Sequence, residues 1–431
     1  MTMRTLPSGA RHRRLATVLR AGFTAAMLVI LSVQGLFAQT AEELFDPSVL
    51  HDIHLTMKAD DWSLLRQHYL EDTYYRADMH WRDLVVPIVG VRSRGSGSRN
   101  PGKPGLKISF DRYLDQKPFG LKSLVLANAI QDPAMLKQRL GLLMFARMDM
   151  PAPRVVHARL FVNDEYVGLY EIIEPIEKAF LARVFDKDAD GKVENGGYLY
   201  EYQWKDAYGF DYLGRDFRIY SELFEAKSHE DDAPALLYGP LEELFRTFNE
   251  VSQDQFEAGV SPLLDLPTFV RHLAIENFIA EHDGFLGAWG PNNFYLYRFQ
   301  GRELSQLLPW DKDEAFWDRY YDIFQGVDDN VLARRTLAIP SLYRLYLETL
   351  LACAARAMQQ VSPDSNVGWL EAEVLNATAQ IHAAGAADTN KRFSNDRFDD
   401  ELEKVLRFAR ERGPYVSREA ARALARMGSN R

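Results

Sequence analysis

The sequence predicts an α+β protein with two lobes, in which the first half is rich in β-strands and the second half is mainly helical. Between residues 49 and 200, short runs of alternating apolar and polar residues are bounded by Gly, Asn or Asp, which is typical of strands and turns. From about residue 230 onward, apolar residues recur at helical spacing instead. One predicted hairpin interrupts the helices, with strands at 292–299 and 304–310.

The first 38 residues are expected to be a secretory signal. Five arginines lie among the first 20 residues, an apolar run follows from residue 21, and the small residue Ala38 ends it. A basic start, an apolar core and a small residue before the cut are typical of a cleaved signal. The alternative is an uncleaved anchor, because about 18 apolar residues is close to the lower limit for a membrane span. No later segment is long and apolar enough to span, so we expect a secreted, periplasmic or cell-envelope protein.

Composition narrows the class of protein further. Apolar residues make up 47% of the chain, enough for a substantial core. The net charge of −10 argues against a nucleic-acid partner, since phosphate binding requires clustered Lys and Arg. The chain has one cysteine, Cys353, so no internal disulfide is possible.

The β-rich N-terminal lobe is predicted to span residues 45–205. Its predicted strands are 84–95, 105–111, 154–163, 165–173 and 196–203. Within this lobe, residues 132–150 have helical periodicity, with Asp132 suited to the N-cap and Pro133 to the first turn. Residues 206–431 form the mainly helical C-terminal lobe.

The segment 281–313 carries the residues best suited to chemistry. Asp283 follows a long predicted helix, Asn293 opens the first hairpin strand, and Asp311 and Asp313 follow the second strand. Because a hairpin returns the chain to its starting point, these side chains are expected to converge. Phosphoryl transfer uses such a set: an Asp that orients the acceptor hydroxyl, with an Asn and an Asp that hold Mg²⁺ on the phosphates. On spacing alone, the alternative is that these polar residues cap a hairpin.

The same segment resembles the CotH kinase family, the spore coat protein H-like atypical protein kinases. The family pattern is a DGF-type loop, an Asn before a short aromatic strand, and PWDxD. The sequence has DGF at 283–285, Asn293 before FYLY, and PWDKD at 309–313. The resemblance implies a two-lobed atypical protein-kinase-like fold, with β-rich N-lobe and helical C-lobe.

Site roles follow from this resemblance. It implies that Asp283 is the catalytic residue and Asp311 the main metal ligand, with Asn293 and Asp313 as further ligands. The loop between Asp283 and Asn293 is longer than in the family pattern, which leaves the choice between Asn292 and Asn293 open.

The β-rich half resembles the family as well. RGSGS at 94–98 and KPGLK at 103–107 are similar to the family's RGN-type loop and KxxxK strand. The resemblance implies that Arg94 and Lys107 bind nucleotide phosphates. Ser96 and Pro104 stand where the family usually has Asn and Lys.

One carboxylate is expected to pair with Lys107. Glu174 falls on the family Glu in a segment similar to the family's NGEYxGLY strand pair, so it is the first choice. Glu171 and Glu177 remain alternatives.

The resemblance implies a kinase that uses ATP with Mg²⁺ or Mn²⁺ and transfers the γ-phosphate to Ser or Thr hydroxyls of exported proteins. The alternative is a catalytically inactive envelope or surface protein with a structural or binding role. The departures at Ser96 and Pro104 motivate this second hypothesis.

A separate acidic segment resembles the start of an EF-hand calcium loop. Its candidate Ca²⁺ ligands are Asp186, Asp188, Asp190 and Glu194. Gly197 occupies position 12, where such a loop places a bidentate Glu, so an ordinary acidic turn is the alternative.

Overall fold

The computed structural model describes residues 39–185 and 191–429. The predicted signal, residues 1–38, lies outside the described residues, as do Asp186, Asp188 and Asp190 of the predicted calcium loop. In the described part of the chain, no helix combines the length and the apolar character needed to cross a membrane.

Seven strands of the first half form a closed barrel. They are β1 (His51–Met57), β2 (Tyr75–Trp81), β3 (Leu84–Arg94), β4 (Gly105–Ser109), β5 (Ser123–Ala127), β6 (Val155–Val162) and β7 (Glu165–Ile173). Their order is β1-β2-β3-β4-β5-β7-β6, and parallel pairing of β6 with β1 closes the barrel. Alternate residues of each strand point inward, and buried side chains such as Trp81, Phe110 and Tyr170 fill the interior.

A second sheet is antiparallel and has four strands. They are β8 (Tyr198–Tyr202), β9 (Phe224–Ala226), β10 (Phe294–Arg298) and β11 (Ser305–Pro309), in the order β11-β10-β8-β9. The predicted hairpin is confirmed, with Phe294 opposite Pro309. The predicted lobe boundary at residue 205 falls just after β8, and β8 pairs with β9 and β10 rather than with a barrel strand.

The described α-helices are spread along the whole chain, but most of them lie in its second half. The described helices are α1 (Ala41–Leu44), α2 (Ala59–Gln67), α3 (Lys137–Arg147), α4 (Lys178–Val184), α5 (Pro234–Glu250), α6 (Phe256–Val260), α7 (Leu266–Ile279), α8 (Val331–Leu337), α9 (Pro340–Met358), α10 (Trp369–Ala387) and α11 (Asn395–Ser429). The central α7 is buried on nearly all sides and contacts α3, α9 and β11. The predicted α+β class, with a β-rich first part, is confirmed.

The predicted helix around residue 140 begins later than expected. Asp132 lies five residues before α3 and caps a tight turn that leads into the helix. Its carboxylate accepts backbone N–H bonds from Ala134, Leu136 and Lys137 at 2.7–2.9 Å. The prediction of Asp132 as N-cap and Pro133 in the first turn is therefore wrong: the N-cap residue is Leu136, and Asp132 only binds the N–H groups of Leu136 and Lys137 at the start of the helix.

An apolar layer joins the barrel to the second sheet. It consists of Val125, Leu142, Val155, Ile173, Ile176, Phe180, Leu181, Leu199, Tyr295, Tyr297, Leu308 and Trp310. Most of these residues come from strands of both sheets and from α3 and α4, while Ile176 and Trp310 lie in the segments that follow β7 and β11. They fix the two sheets relative to one another, and a deep cleft opens between them.

Candidate active site

The cleft between the barrel and the second sheet has a volume of about 1460 Å³. The segments that the sequence singled out as chemical line it together. From the barrel come Arg94, the Gly-Ser loop after it, and Lys107; from the second half come Asp283, Asn292, Asn293, Asp311 and Asp313. The convergence expected from the hairpin geometry is therefore present.

Asp283 lies just beyond the C-terminal end of α7. The helix stops because Ala280 adopts a left-handed conformation (φ 54°), which turns the chain toward the cleft. The carboxylate of Asp283 accepts hydrogen bonds from the side-chain amides of Asn292 (3.1 Å) and Asn293 (3.0 Å). Burial raises the pKa of Asp283 above its ordinary value, more than these two amides lower it.

Asn293 opens β10 in a left-handed conformation (φ 58°). Its amide nitrogen donates to the main-chain oxygen of Asp283 and to its carboxylate, so the carbonyl oxygen Oδ1 is the atom left to bind a cation. Across the strand pair, its main-chain oxygen accepts the N–H of Trp310, the residue before Asp311. Between the two alternatives, the geometry favours Asn293 over Asn292 as the partner of Asp311, because only Asn293 is joined to that strand.

Asp311 and Asp313 follow β11 at the floor of the cleft. Asp311 also has positive φ (44°) and is half-buried. Burial raises its pKa, while Arg94 and Lys312 oppose the rise. Burial and the charge of Asp311 raise the pKa of Asp313.

This donor set suits a hard divalent cation that is completed by other oxygens. Carboxylates and an amide oxygen are ligands that Mg²⁺ takes, usually a few at a time together with phosphate oxygens and water. A cation there would relieve the repulsion between Asp311 and Asp313. Among residues 39–185 and 191–429, no three His, Cys, Asp or Glu side chains converge into a ready cage. The residues present therefore fit a metal that arrives with phosphate groups.

Lys107 pairs with a carboxylate other than the first choice. Its Nζ lies 3.6 Å from Oε1 of Glu177, which also accepts a hydrogen bond from Ser123 at 2.9 Å. Glu177 lines the cleft, directly before α4. The prediction that Glu174 pairs with Lys107 is wrong, and one of the two alternatives, Glu177, takes that place.

Glu174 pairs with two arginines instead. It is buried, and its carboxylate bonds to Arg154 at 3.0 Å and to Arg183, next to a second cavity. Ile173, the residue before it, is in register with Val125, the cross-strand partner of Lys107, so the side chain of Glu174 lies on the opposite face of the sheet from Lys107. The other alternative, Glu171, is buried and accepts the N–H of Arg139.

The Gly-Ser loop depends on one glycine. Gly95 has φ +109°, and a Cβ there would lie 2.5 Å from Oγ of Ser98. Arg94, just before it, places its guanidinium 5.8 Å from the ring centre of Trp310, which brings the loop to the strand that carries Asp311. The loop thus lies beside the floor of the cleft.

Glu194 is the one predicted calcium-loop residue in the described part of the chain. Its Oε1 accepts hydrogen bonds from the hydroxyl of Tyr297 (2.7 Å) and from the backbone N–H of Gln300 (3.0 Å). That oxygen is therefore engaged with the β10–β11 hairpin. Calcium binding stays a prediction.

Sequence reasoning missed a buried ion pair directly behind the cleft. Lys312, the variable position of PWDKD, is 0% exposed and binds Glu276 of α7 at 2.9 Å. A charged residue at a helix position surrounded by Phe, Ile and Asn was the available signal, since such a residue is buried only when it is paired.

Comparison with known proteins agrees with this geometry. The profile of the family described as CotH kinase protein matches residues 91–416. Inner spore coat protein H of Bacillus subtilis (strain 168) is 25% identical over 361 residues, which cover 78% of this chain and 91% of that protein. The matched span includes the Gly-Ser loop, the DGF loop and the PWDKD segment. The chain belongs to the CotH kinase protein family.

Proposed function

We propose that this protein is an ATP-dependent protein kinase that transfers the γ-phosphate to Ser or Thr hydroxyls of exported proteins. The observation that carries the proposal is the single cleft in which Lys107, Asp283, Asn293 and Asp311 meet. Family membership supports it.

The barrel side of the cleft suits a nucleotide. Apolar side chains that line the cleft offer a surface for the base; they are Val125 of β5, Ile176 just before α4, Leu181 in α4, and Leu199 of β8 in the second sheet. Arg94 and Lys107 supply positive charge to the phosphates, and the Gly-Ser loop is small enough to approach them closely. Glu177 holds the Lys107 side chain in its place.

The second-sheet side of the cleft suits the metal. Asn293 Oδ1 and the carboxylates of Asp311 and Asp313 would hold Mg²⁺ or Mn²⁺. When bound, the cation supplies neutralisation of the charge that develops on the transferred group. The positive charges of Lys312 and Arg94 lie close enough to Asp311 to favour its ionised carboxylate.

Asp283 is the group that handles the acceptor. Its carboxylate orients the attacking Ser or Thr hydroxyl and takes its proton, while the bond between the γ-phosphorus and the bridging oxygen breaks and ADP leaves. Burial raises the pKa of Asp283, which makes the carboxylate a stronger base than a solvated Asp. Both neighbouring amides fix its orientation.

The proposed location is the secretory route or the cell envelope. The predicted signal at residues 1–38 supports it, and the named relative is a spore coat protein. Exported proteins are then the acceptors that meet the enzyme.

Labelled ATP tests the reaction type. With a generic protein acceptor, label from the γ position should appear on Ser or Thr, and it should be absent with Asp311→Asn. Transfer of label only from the α position would replace phosphorylation with nucleotide transfer.

A second candidate is an inactive envelope protein that binds a partner. Ser96 and Pro104, at positions where the family usually has Asn and Lys, favour it. Thermal unfolding with MgATP discriminates, because a ligand at 100 times its Kd stabilises the folded state by about 2.7 kcal/mol. No shift at millimolar MgATP favours the binding protein.

A further inference from the structure

The Lys312–Glu276 pair touches the backbone of both segments that carry the site. Nζ of Lys312 lies 2.9 Å from Oε1 of Glu276 and donates to the main-chain oxygen of Asn293, also at 2.9 Å. The other oxygen of Glu276, Oε2, accepts the N–H of Phe285 at 2.8 Å. The two buried side chains therefore join the end of α7, the DGF loop and the start of β10.

Close packing keeps this pair in one arrangement. A Cβ on Gly284 would lie 2.8 Å from the carboxyl of Glu276, so the DGF loop lies directly on that carboxylate. On the opposite side, a Cβ on Gly141 of α3 would lie 2.9 Å from Cβ of Lys312. His272, one turn before Glu276, contacts Oε1 of Glu276, the oxygen that also binds Lys312, at 3.1 Å.

A buried ion pair of this kind is a weak source of stability, because desolvation of the two charges offsets their attraction. Glu276 nevertheless stays ionised: burial favours the neutral acid, but Lys312 and His272 hold its pKa at about 2. Apart from the His272 contact, the hydrogen bonds that the pair makes to other residues go to the main chain of the site segments. Positioning explains these contacts better than stability does.

Two residues of the site have positive φ, a conformation that Asn and Asp adopt more readily than other non-glycine residues. These residues are Asn293 (φ 58°) and Asp311 (φ 44°). Contacts to neighbouring residues help to fix such a conformation. Lys312 holds the carbonyl of Asn293 and follows Asp311 directly in the chain.

We infer that the Lys312–Glu276 pair is a positioning strut, which sets Asp283, Asn293 and Asp311 in register for metal binding and phosphoryl transfer. This role rests on the proposed function for its catalytic part. Its metal-binding part can be measured without turnover.

The test is the double variant Lys312→Met/Glu276→Gln. It removes both charges of the pair together, so neither partner is left buried without the other, and the amide of the introduced glutamine still offers an oxygen to the N–H of Phe285. Its matched control is Lys137→Met/Glu401→Gln, which removes a largely buried pair (3.2 Å) between α3 and α11 that does not line the cleft.

Metal affinity is the readout that does not require activity. Terbium luminescence, sensitised by Trp310 beside Asp311, reports binding in the presence of a non-hydrolysable ATP analogue. We expect the strut variant to bind the ion about tenfold more weakly, as is usual when ligand-orienting groups are lost, and the control pair to bind normally. Equal affinity in the wild type and a folded strut variant overturns the inference.

Turnover provides the second readout. For the strut variant kcat should fall about 100-fold while KM for ATP stays within about threefold, because misplacement affects the reacting groups more than Lys107 and Arg94. If the wild type transfers no phosphate to any acceptor, the proposed function fails, and the terbium measurement still decides the strut. A variant with normal kcat and normal ion affinity shows that the pair is only structural.

A single substitution covers poor folding of the double variant. Glu276→Gln keeps Lys312 and the acceptor for Phe285, and it removes only one charge. We expect the same direction with a smaller loss of ion affinity. A folded Glu276→Gln protein with wild-type ion affinity and kcat contradicts the positioning role.

Discussion

Asn293 donates its side-chain amide to both the main-chain oxygen and the carboxylate of Asp283, at 2.9 and 3.0 Å. The residue proposed to act on the acceptor and a residue proposed to hold the metal are thus one hydrogen-bonded unit. Substitution of one is therefore expected to disturb the other.

Asp283→Ala should lose turnover by about 10²- to 10⁴-fold, the usual contribution of a positioned base. It should also weaken metal binding severalfold, because Asn292 and Asn293 lose the carboxylate that orients them. Single-turnover rates and MgATP titrations measure the two effects separately. Normal turnover in Asp283→Ala excludes this residue as the acceptor base.

Asp311→Asn should lower the single-turnover rate by about 10³-fold or more, because it removes a charged ligand of the cation that neutralises the transition state. The fold should be retained, since Asn has the same shape and tolerates positive φ. The control is Asp149→Asn, an exposed Asp that also has positive φ. If Asp311→Asn works normally at limiting Mg²⁺, the hairpin Asp is only a cap.

Lys107→Ala should raise KM for ATP about tenfold or more, since charged hydrogen bonds to phosphate contribute about 1.5–3 kcal/mol. Glu177→Gln should shift KM in the same direction by less, because it removes only the partner that orients Lys107. Steady-state kinetics at varied ATP measure both. An unchanged KM in Lys107→Ala places the phosphates elsewhere.

Glu174→Gln should affect stability and leave KM unchanged. The buried carboxylate binds both Arg154 and Arg183, and loss of its charge is expected to lower the free energy of unfolding by about 2 kcal/mol. Denaturant unfolding measures the loss. A KM change as large as that of Glu177→Gln would restore Glu174 as the nucleotide-side carboxylate.

The buried carboxyl group of Glu171 should make the free energy of unfolding depend on pH. Burial raises its pKa to about 8 in the folded protein. Between the unfolded value near 4.5 and pH 8, the folded state therefore holds a proton that the unfolded state has lost. The free energy of unfolding should fall as pH rises through this window.

The variant Glu171→Gln removes this titration. Its melting temperature should decline less between about pH 5 and pH 8.5 than that of the wild type, and the two should agree best at the acid end. If the melting temperatures of the wild type and of Glu171→Gln change with pH in parallel, Glu171 does not ionise in this range.

The sequence predicted best those elements whose signal is local. Alternation and the flanking turn in VNDEYVGLYEII were enough to place β7 at residues 165–173. The β10–β11 hairpin followed from two short apolar runs around a polar turn, and Asp283, Asn293 and Asp311 then met because a hairpin must return.

Elements that depend on distant contacts were not predictable in this way. The barrel closes through parallel pairing of β1 with β6, between segments far apart in the chain, and β1, β2 and β5 were not assigned. The partner of Lys107 depends on which way the chain turns after β7, which no periodicity reveals. Lys312 and Glu276 are charged residues that can be buried only because they pair with each other.

The ion pair between Lys103 and Asp388 has a consequence for the order of folding. The two side chains are fully buried and lie 2.7 Å apart, although one precedes β4 and the other follows α10. Chains are synthesised at about 5–20 residues per second, so the barrel strands emerge on the order of ten seconds or more before Asp388. Until then Lys103 lacks this ion-pair partner, so we expect it to stay hydrated and the neighbouring Gly-Ser loop to stay out of its final position. We expect nascent chains that end at residue 387 to bind no nucleotide, even though they contain every residue of the cleft. Completion of the proposed nucleotide site is thereby coupled to completion of the polypeptide.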